Sequence, residues 1–144
     1  MTPDLTPGLA LAIVLGGAVG ALLRYGAQLL WPARDARVPL AVLGVNVVGS
    51  AMAGAFLALA QWVGADGSPV IASSVALIVM TGFCGGLTTF STFAAETVEL
   101  AMNGSWRPAV VNIVFNLVLG LGAAALAFVV TNGLIITTSN AFVG

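Results

Sequence analysis

The side chains of this sequence that could bind a ligand are mostly neutral hydrogen-bond donors inside apolar segments. Asn46 interrupts one apolar run, and Asn112 and Asn116 interrupt another, four residues apart and therefore on one face of a helix. Amide and hydroxyl groups donate hydrogen bonds without a fixed positive charge. A third apolar run adds further polar side chains, among them Thr88, Thr89, Ser91, Thr92 and Glu96.

Such a donor set suits a small anion that must lose its water without being held tightly. Ammonium groups would trap the anion, whereas amides and hydroxyls replace its hydration at modest depth. Phe90 and Phe93 are three residues apart and share a helix face, and the positive edge of a phenyl ring can also meet an anion. Arg24 closes the first apolar run, where it would either snorkel to the interface or concentrate anions at a pore mouth.

Each of these residues also has an ordinary structural interpretation. A single buried asparagine often joins two membrane helices, and serine or threonine often bonds to its own helix backbone. A pair of phenylalanines three residues apart often packs in a core. The concentration of so many donors in one short chain is what favours a functional interpretation.

The composition places the chain in the membrane and excludes several functions. Of 144 residues, 60% are hydrophobic and 6% are charged, against about 25% charged in soluble domains. Since the chain has one Cys and no His, it offers neither a His/Cys zinc site nor a disulfide framework nor an imidazole base. A net charge of −1 without a basic run excludes a nucleic-acid partner. We therefore expect an integral membrane protein without enzymatic activity.

Four hydrophobic segments predict an all-α, single-domain protein over residues 1–144. The expected transmembrane helices span about 8–31, 38–62, 70–102 and 108–131. Each is long enough for a hydrocarbon core of about 30 Å, which takes about 20 helical residues. The tail after Thr131 is expected to be frayed and exposed.

The third segment is too long for one straight helix across the membrane. It would reach roughly 50 Å at about 1.5 Å per residue, and its middle is rich in glycine and threonine, which are poor helix formers. We expect a third helix broken by an unwound Gly/Thr turn near residues 82–89, with half-helices over roughly 70–82 and 90–102. The alternative is that the glycines simply allow a close helix–helix contact.

Three sequence motifs, taken together, resemble the CrcB/Fluc fluoride channels. Residues 16–25 read GGAVGALLRY and resemble the signature of that family's first helix. Residues 46–50 read NVVGS and resemble its second-helix motif. Residues 82–93 read GFCGGLTTFSTF and resemble its third-helix signature nearly letter for letter. The order, the spacing and the four-segment layout agree over roughly residues 9–131, and the third motif is highly specific.

The resemblance implies an antiparallel dimer of four-helix subunits with two separate fluoride pores. It also implies a structural sodium ion at the dimer interface, held by the backbone carbonyls of Gly85 and Thr88, which would be neither catalytic nor transported. By motif position, the residues lining or flanking the fluoride path would be Arg24, Asn46, Phe90, Ser91, Thr92, Phe93, Glu96, Asn112 and Asn116.

Two departures from the family pattern concern the second and fourth helices. The family usually has threonine four residues before the second-helix asparagine, and this chain has Val42. The family usually has tyrosine and serine where this chain has Asn112 and Asn116. The fourth helix thus keeps a polar row built from different donors.

The expected function is passive, fluoride-selective export across the plasma membrane by a multi-pass channel, which relieves fluoride toxicity. The alternative is a small proton-coupled multidrug exporter, which needs a carboxylate deep in the membrane. The first helix has none, and Glu96 and Glu99 lie near the end of the third segment. A third interpretation, a helical assembly subunit without transport activity, gives no reason for the Phe/Thr/Ser string.

The four arginines predict how the subunit is oriented. Arg34 and Arg37 lie in the first connector and Arg107 lies in the third, which face the same side, and Arg24 lies toward that side. The positive-inside rule then places these connectors in the cytoplasm and both termini outside. Because an antiparallel homodimer needs one chain inserted both ways, we hypothesise pairing with an oppositely oriented homologue. The alternative is dual insertion, which so few charges would permit.

We expect a tag at the C-terminus to be labelled from the outer side of the membrane alone, because every arginine favours the opposite side. Labelling of the tag with a membrane-impermeant reagent, in intact and in permeabilised cells, measures this orientation. Equal labelling from both sides would contradict the heterodimer hypothesis.

Overall fold

The chain forms four helical spans that are long and apolar enough to cross a membrane. The computed structural model describes residues 5–32, 38–63 and 71–143, without the side chains of 141–143. Helix α1 spans Pro7–Leu30 and α2 spans Leu40–Gln61. The third span covers Ser73–Met102, and the last helix, α6, spans Trp106–Val143. Arg34 and Arg37, on which the orientation hypothesis partly rests, lie outside the described residues.

The third span contains four successive helical elements. It begins with α3 (Ser73–Leu77), widens into a π-helical segment over Ile78–Cys84, and returns to a single α turn, α4, over Gly85–Leu87. Helix α5 then spans Phe90–Met102. Between α4 and α5, Thr88 and Thr89 have extended backbone, with ψ angles of 153° and 121° respectively. The stretch predicted to unwind over 82–89 is therefore helical as far as Leu87.

Two glycines in the helical part of the third span, Gly82 and Gly86, let α1 approach closely. A Cβ atom on Gly82 would lie 2.6 Å from the carbonyl oxygen of Ile13, and one on Gly86 would collide with the carbonyl of Gly17. Close backbone approach through small residues is a usual way for membrane helices to associate. This contact is the alternative that the sequence left open for the glycines.

Helix α6 continues well past the end predicted near residue 131. Its 38 residues correspond to about 57 Å at about 1.5 Å per residue, so it is longer than a hydrocarbon core of about 30 Å. In the extension, the hydroxyls of Thr137 and Thr138 donate to carbonyl oxygens one turn earlier, at Gly133 and Leu134. These residues therefore satisfy their polar groups within the helix, and the prediction of a frayed tail is corrected.

Helix α6 packs chiefly on α2, and α1 packs on the π-helical segment and α4. In the α2–α6 contact, a Cβ atom added to Gly54 would collide with the carbonyl of Ala124. At the end of α2, the indole N–H of Trp62 donates to Asn132 Oδ1 over 2.7 Å. These contacts bring the polar residues of α2, α5 and α6 together.

Large apolar surfaces of the outer helices remain uncovered within the single chain. In the most apolar windows of α1 and α6, 11% and 6% of the residues are buried. Lipid tails can cover such faces without cost, and so can another subunit.

Replacing Gly54 with alanine is expected to lower the free energy of unfolding by about 1–3 kcal/mol, the usual cost of overpacking. The new Cβ atom would meet a backbone carbonyl of α6, which cannot turn aside as a side chain could. Thermal unfolding in detergent measures the change. Gly122→Ala is the matched control, since nothing lies within 4 Å of its added Cβ atom. Equal loss of stability in both variants would contradict the proposed α2–α6 contact.

Candidate functional site

A polar cavity of about 240 Å³ lies beside the extended backbone of Thr88 and Thr89. Helices α2 and α6 form one wall of the cavity, and the start of α5 forms the other. The interruption between α4 and α5 thus opens onto polar side chains from neighbouring helices. The residues lining the cavity are Asn46, Ser50, Thr88, Thr89, Phe90, Phe93, Asn116 and Leu117.

The side chain of Asn46 holds the backbone of Thr89 through two hydrogen bonds. The Thr89 amide N–H donates to Asn46 Oδ1 over 2.9 Å, and Asn46 Nδ2 donates to the Thr89 carbonyl over 3.3 Å. Buried peptide groups must find partners, and here a side chain supplies what the interrupted helix cannot. We call this pair of bonds the Asn46 clamp.

A continuous row of side-chain hydrogen bonds extends from the clamp across α6 to α5. Asn46 Nδ2 donates to Asn116 Oδ1, and Asn116 Nδ2 donates to Asn112 Oδ1, each over 2.9 Å. Asn112 Nδ2 donates to Thr97 Oγ1 over 2.9 Å, and the Thr97 hydroxyl donates to the Phe93 carbonyl over 2.7 Å. We call this row the amide relay. Asn112 is fully buried within it.

The amide relay changes what the predicted amide donors can do. Asn46 Nδ2 donates one hydrogen bond to the Thr89 carbonyl and another to Asn116 Oδ1. Both amide hydrogens of Asn46 are therefore engaged within the protein. Asn116 Nδ2 likewise donates to the carbonyl and to the side chain of Asn112. Asn46 and Asn116 therefore line the cavity, but with their amide hydrogens already bonded.

The hydroxyl groups at the start of α5 form a small cluster around Thr89. Thr89 Oγ1 accepts from the Thr92 amide over 3.2 Å, which caps the helix. The Thr89 hydroxyl donates to Thr92 Oγ1 over 3.1 Å, and the hydroxyl of exposed Ser91 lies 3.2 Å from Thr89 Oγ1. The predicted residues Ser91 and Thr92 are thus beside the cavity.

The two predicted aromatic residues occupy very different positions. Their ring centroids are 5.6 Å apart with an angle of 59° between the ring planes. Phe93 is buried, whereas Phe90 is 78% exposed. The Phe90 ring at the cavity therefore extends out of the single chain.

The carbonyls of Gly85 and Thr88 lose the amides that would bond to them in a continuous helix. The Thr89 amide, four residues after Gly85, donates to Asn46 instead. The Thr92 amide, four residues after Thr88, donates to the Thr89 side chain. Two carbonyl oxygens close in sequence are thereby released from helical bonding, and oxygen is the donor that hard cations prefer.

Two predicted charged residues lie away from the cavity wall. Arg24 Nε donates to the carbonyl of Gly86 over 3.3 Å, so the guanidinium is turned onto α4. Glu96 has one buried carboxylate oxygen, Oε2, without a hydrogen-bond partner in the part of the chain that the structure describes. Glu96 lies one helical turn after Thr92 on α5.

Sequence reasoning did not assign roles to Ser50 and Thr97. Ser50 follows Asn46 by one turn of an otherwise apolar helix and lines the cavity. Thr97 Oγ1 accepts a hydrogen bond from Asn112 Nδ2 at the far end of the amide relay. The signal for Ser50 was its four-residue spacing from Asn46. Thr97 could be found only from the packing of α5 against α6.

These features define a small multi-pass membrane protein with a polar cavity at an interrupted helix, the arrangement expected where a membrane protein handles a polar solute. Residues 11–128 match the family model described as "CrcB-like protein, Camphor Resistance (CrcB)". The chain belongs to this family, which confirms the resemblance seen in its motifs.

Relatives align with most of the chain. A protein of Saccharophagus degradans named "Fluoride-specific ion channel FluC" is 39% identical over 125 residues, covering 87% of this chain and 90% of its own length. A protein of the same name from Gluconobacter oxydans is 36% identical, covering 85% and 84% respectively. Another from Chromobacterium violaceum is 43% identical, covering 69% and 75%.

Proposed function

We propose that this protein is a fluoride-selective channel that exports fluoride passively and relieves its toxicity. The observation that carries this conclusion is the similarity, at 36–43% identity, to proteins named fluoride-specific ion channels. Hydrogen fluoride enters a cell as a neutral acid and dissociates inside, so a passive pore for the anion lowers its internal level. The protein is a multi-pass protein of the plasma membrane and is not an enzyme.

The chemistry of the cavity supports this function. Its polar wall consists of hydroxyls, amides and backbone groups without a fixed cation, so an anion can shed water there without being trapped. The path would pass Asn46, Phe90 and Phe93, with Ser91 and Thr92 beside it. The amide hydrogens of Asn46 and Asn116 are engaged in the relay, and the hydroxyls of Thr88 and Thr89 donate to Cys84 and Thr92. The Ser50 hydroxyl and the phenyl edges would therefore make the direct contacts.

The alternative, a proton-coupled multidrug exporter, is not favoured by the relatives. Glu96 is the acidic residue closest in sequence to the polar cluster, and it lies outside the cavity wall. In a channel, Glu96 and the fourth-helix residues Asn112 and Asn116 would flank the path. Arg24 would lie near a vestibule.

We further propose that two subunits associate in antiparallel orientation, with two pores. The exposed Phe90 ring supports association, because it lines the polar cavity and yet extends out of the single chain. The uncovered apolar faces of α1 and α6 leave room for a second subunit. The interruption of the third helix at Thr88 and Thr89 would then lie at the contact. The arginine bias favours a heterodimer with an oppositely oriented homologue, and the homodimer is the alternative.

We propose that a structural sodium ion lies between the subunits, held by the carbonyls of Gly85 and Thr88. The diversion of the Thr89 and Thr92 amides to side chains supports this assignment, because it leaves both carbonyls without their helical donors. Oxygen ligands and unwound backbone suit a hard cation. The ion would stabilise the dimer and would not be transported.

Purified protein in liposomes is expected to release fluoride and to retain chloride. Phe90→Ile should slow fluoride release by about tenfold or more, equivalent to about 1.4 kcal/mol or more in the barrier, because it removes the ring edge at the cavity. A fluoride electrode measures the efflux. Phe128→Ile on α6, outside the cavity lining, is the control and should conduct normally. Release of both anions alike, or equal slowing in both variants, would contradict the proposal.

Replacing sodium with a large organic cation is expected to lower the midpoint of thermal unfolding of the dimer in detergent. Restoring sodium should restore the midpoint, because a ligand that binds the folded state stabilises it by mass action. Potassium at equal ionic strength is the control for screening. A midpoint that is the same in all three salts would exclude a specific sodium ion.

A further inference from the structure

The direction of every hydrogen bond in the amide relay is fixed by the backbone of one residue, Thr89. The Thr89 N–H can only donate and its carbonyl can only accept, so Asn46 must present Oδ1 to the first and Nδ2 to the second. Asn116 must then turn Oδ1 toward Asn46 and Nδ2 toward Asn112. The relay therefore has one orientation that satisfies all of its members.

The far end of the relay has the same orientation. The Thr97 hydroxyl donates to the Phe93 carbonyl and so offers a lone pair to Asn112 Nδ2. With its Nδ2 on Thr97, Asn112 presents Oδ1 to Asn116. Both ends agree, and rotation of any single amide would bring two donors or two acceptors face to face.

We propose that Thr97 and Asn112 are positioning residues of the pore, which keep the Asn46 clamp closed on Thr89 from a distance. Neither residue lines the cavity, and Asn112 is fully buried behind Asn116. Their role is to hold the amide hydrogens of Asn46 and Asn116 away from the passing anion and to keep the Thr88–Thr89 backbone in place. The expected effect on conduction rests on the proposed fluoride channel. The expected effect on the Asn46 clamp does not.

Loss of the Thr97 hydroxyl would act through the relay in a defined way. Asn112 Nδ2 would lose its acceptor, and rotation of Asn112 to find another would turn its amide hydrogens toward those of Asn116. Asn116 also donates to the Asn112 backbone carbonyl over 3.0 Å, and this bond does not depend on the Asn112 side chain. The clamp is thus expected to loosen by about the worth of one hydrogen bond rather than to open fully.

The test compares Thr97→Val, which keeps the shape but removes the hydroxyl, with Thr97→Ser, which keeps the hydroxyl. The rate of hydrogen exchange at the Thr89 amide, measured in the full-length purified protein, reports how often the Asn46 clamp opens. Thr97→Val should speed this exchange about tenfold, which corresponds to about 1.4 kcal/mol, the upper range for one ordinary hydrogen bond. Fluoride efflux should slow in the same variant, and Thr97→Ser should match the parent in both measurements.

A second substitution guards against a packing effect of valine. Asn112→Leu removes the neighbouring link and should speed Thr89 exchange as Thr97→Val does, while exchange at residues 135–138 stays unchanged. Unchanged Thr89 exchange in both variants would overturn the inference, and so would equal slowing of efflux by Thr97→Ser and Thr97→Val. Hydrogen exchange is measured without fluoride, so it tests the clamp whether or not the protein conducts. A parent protein that fails to conduct would refute the channel proposal alone.

Discussion

The structure depends on satisfying the backbone N–H and carbonyl of Thr89, which leaves the helix in the middle of a membrane span. Water cannot reach such groups in a hydrocarbon core, and each unsatisfied one costs several kcal/mol. Asn46 supplies both partners for Thr89, and the side chain of Thr89 in turn caps α5. An interrupted helix is therefore stable here because a neighbouring helix provides an amide in the right place. The polar cavity is a consequence of this arrangement.

Close backbone contacts bring that amide into position. Gly54 lets α6 approach α2, which brings Asn116 within 2.9 Å of Asn46. Gly82 and Gly86 let α1 approach the third span on the other side. In lipid there is no hydrophobic force between helices, so packing and hydrogen bonding determine their association. The glycines and the asparagines thus act together, since the relay forms only between helices that are already close.

The engaged amides also explain how a polar cavity can favour passage of an anion over its retention. An amide hydrogen that is bonded within the protein cannot at the same time donate to an anion. In this protein the amide hydrogens of Asn46 and Asn116 are bonded to other protein groups, and the cavity is also lined by Ser50 and by the rings of Phe90 and Phe93. With Arg24 turned onto the Gly86 carbonyl, the cavity wall contains no fixed cation among the described residues.

The sequence by itself determined the membrane class, four apolar spans and the family, because hydrophobic length and a long specific motif are local properties of the chain. It also identified the polar residues around the cavity except Ser50, since uncharged donors inside apolar runs are conspicuous. It did not determine that the glycines stay helical, that α6 continues to Val143, or that Asn112 and Thr97 belong to one relay. Those outcomes depend on which helices touch, and hydrogen bonds between residues far apart in sequence form only once tertiary packing has chosen the neighbours.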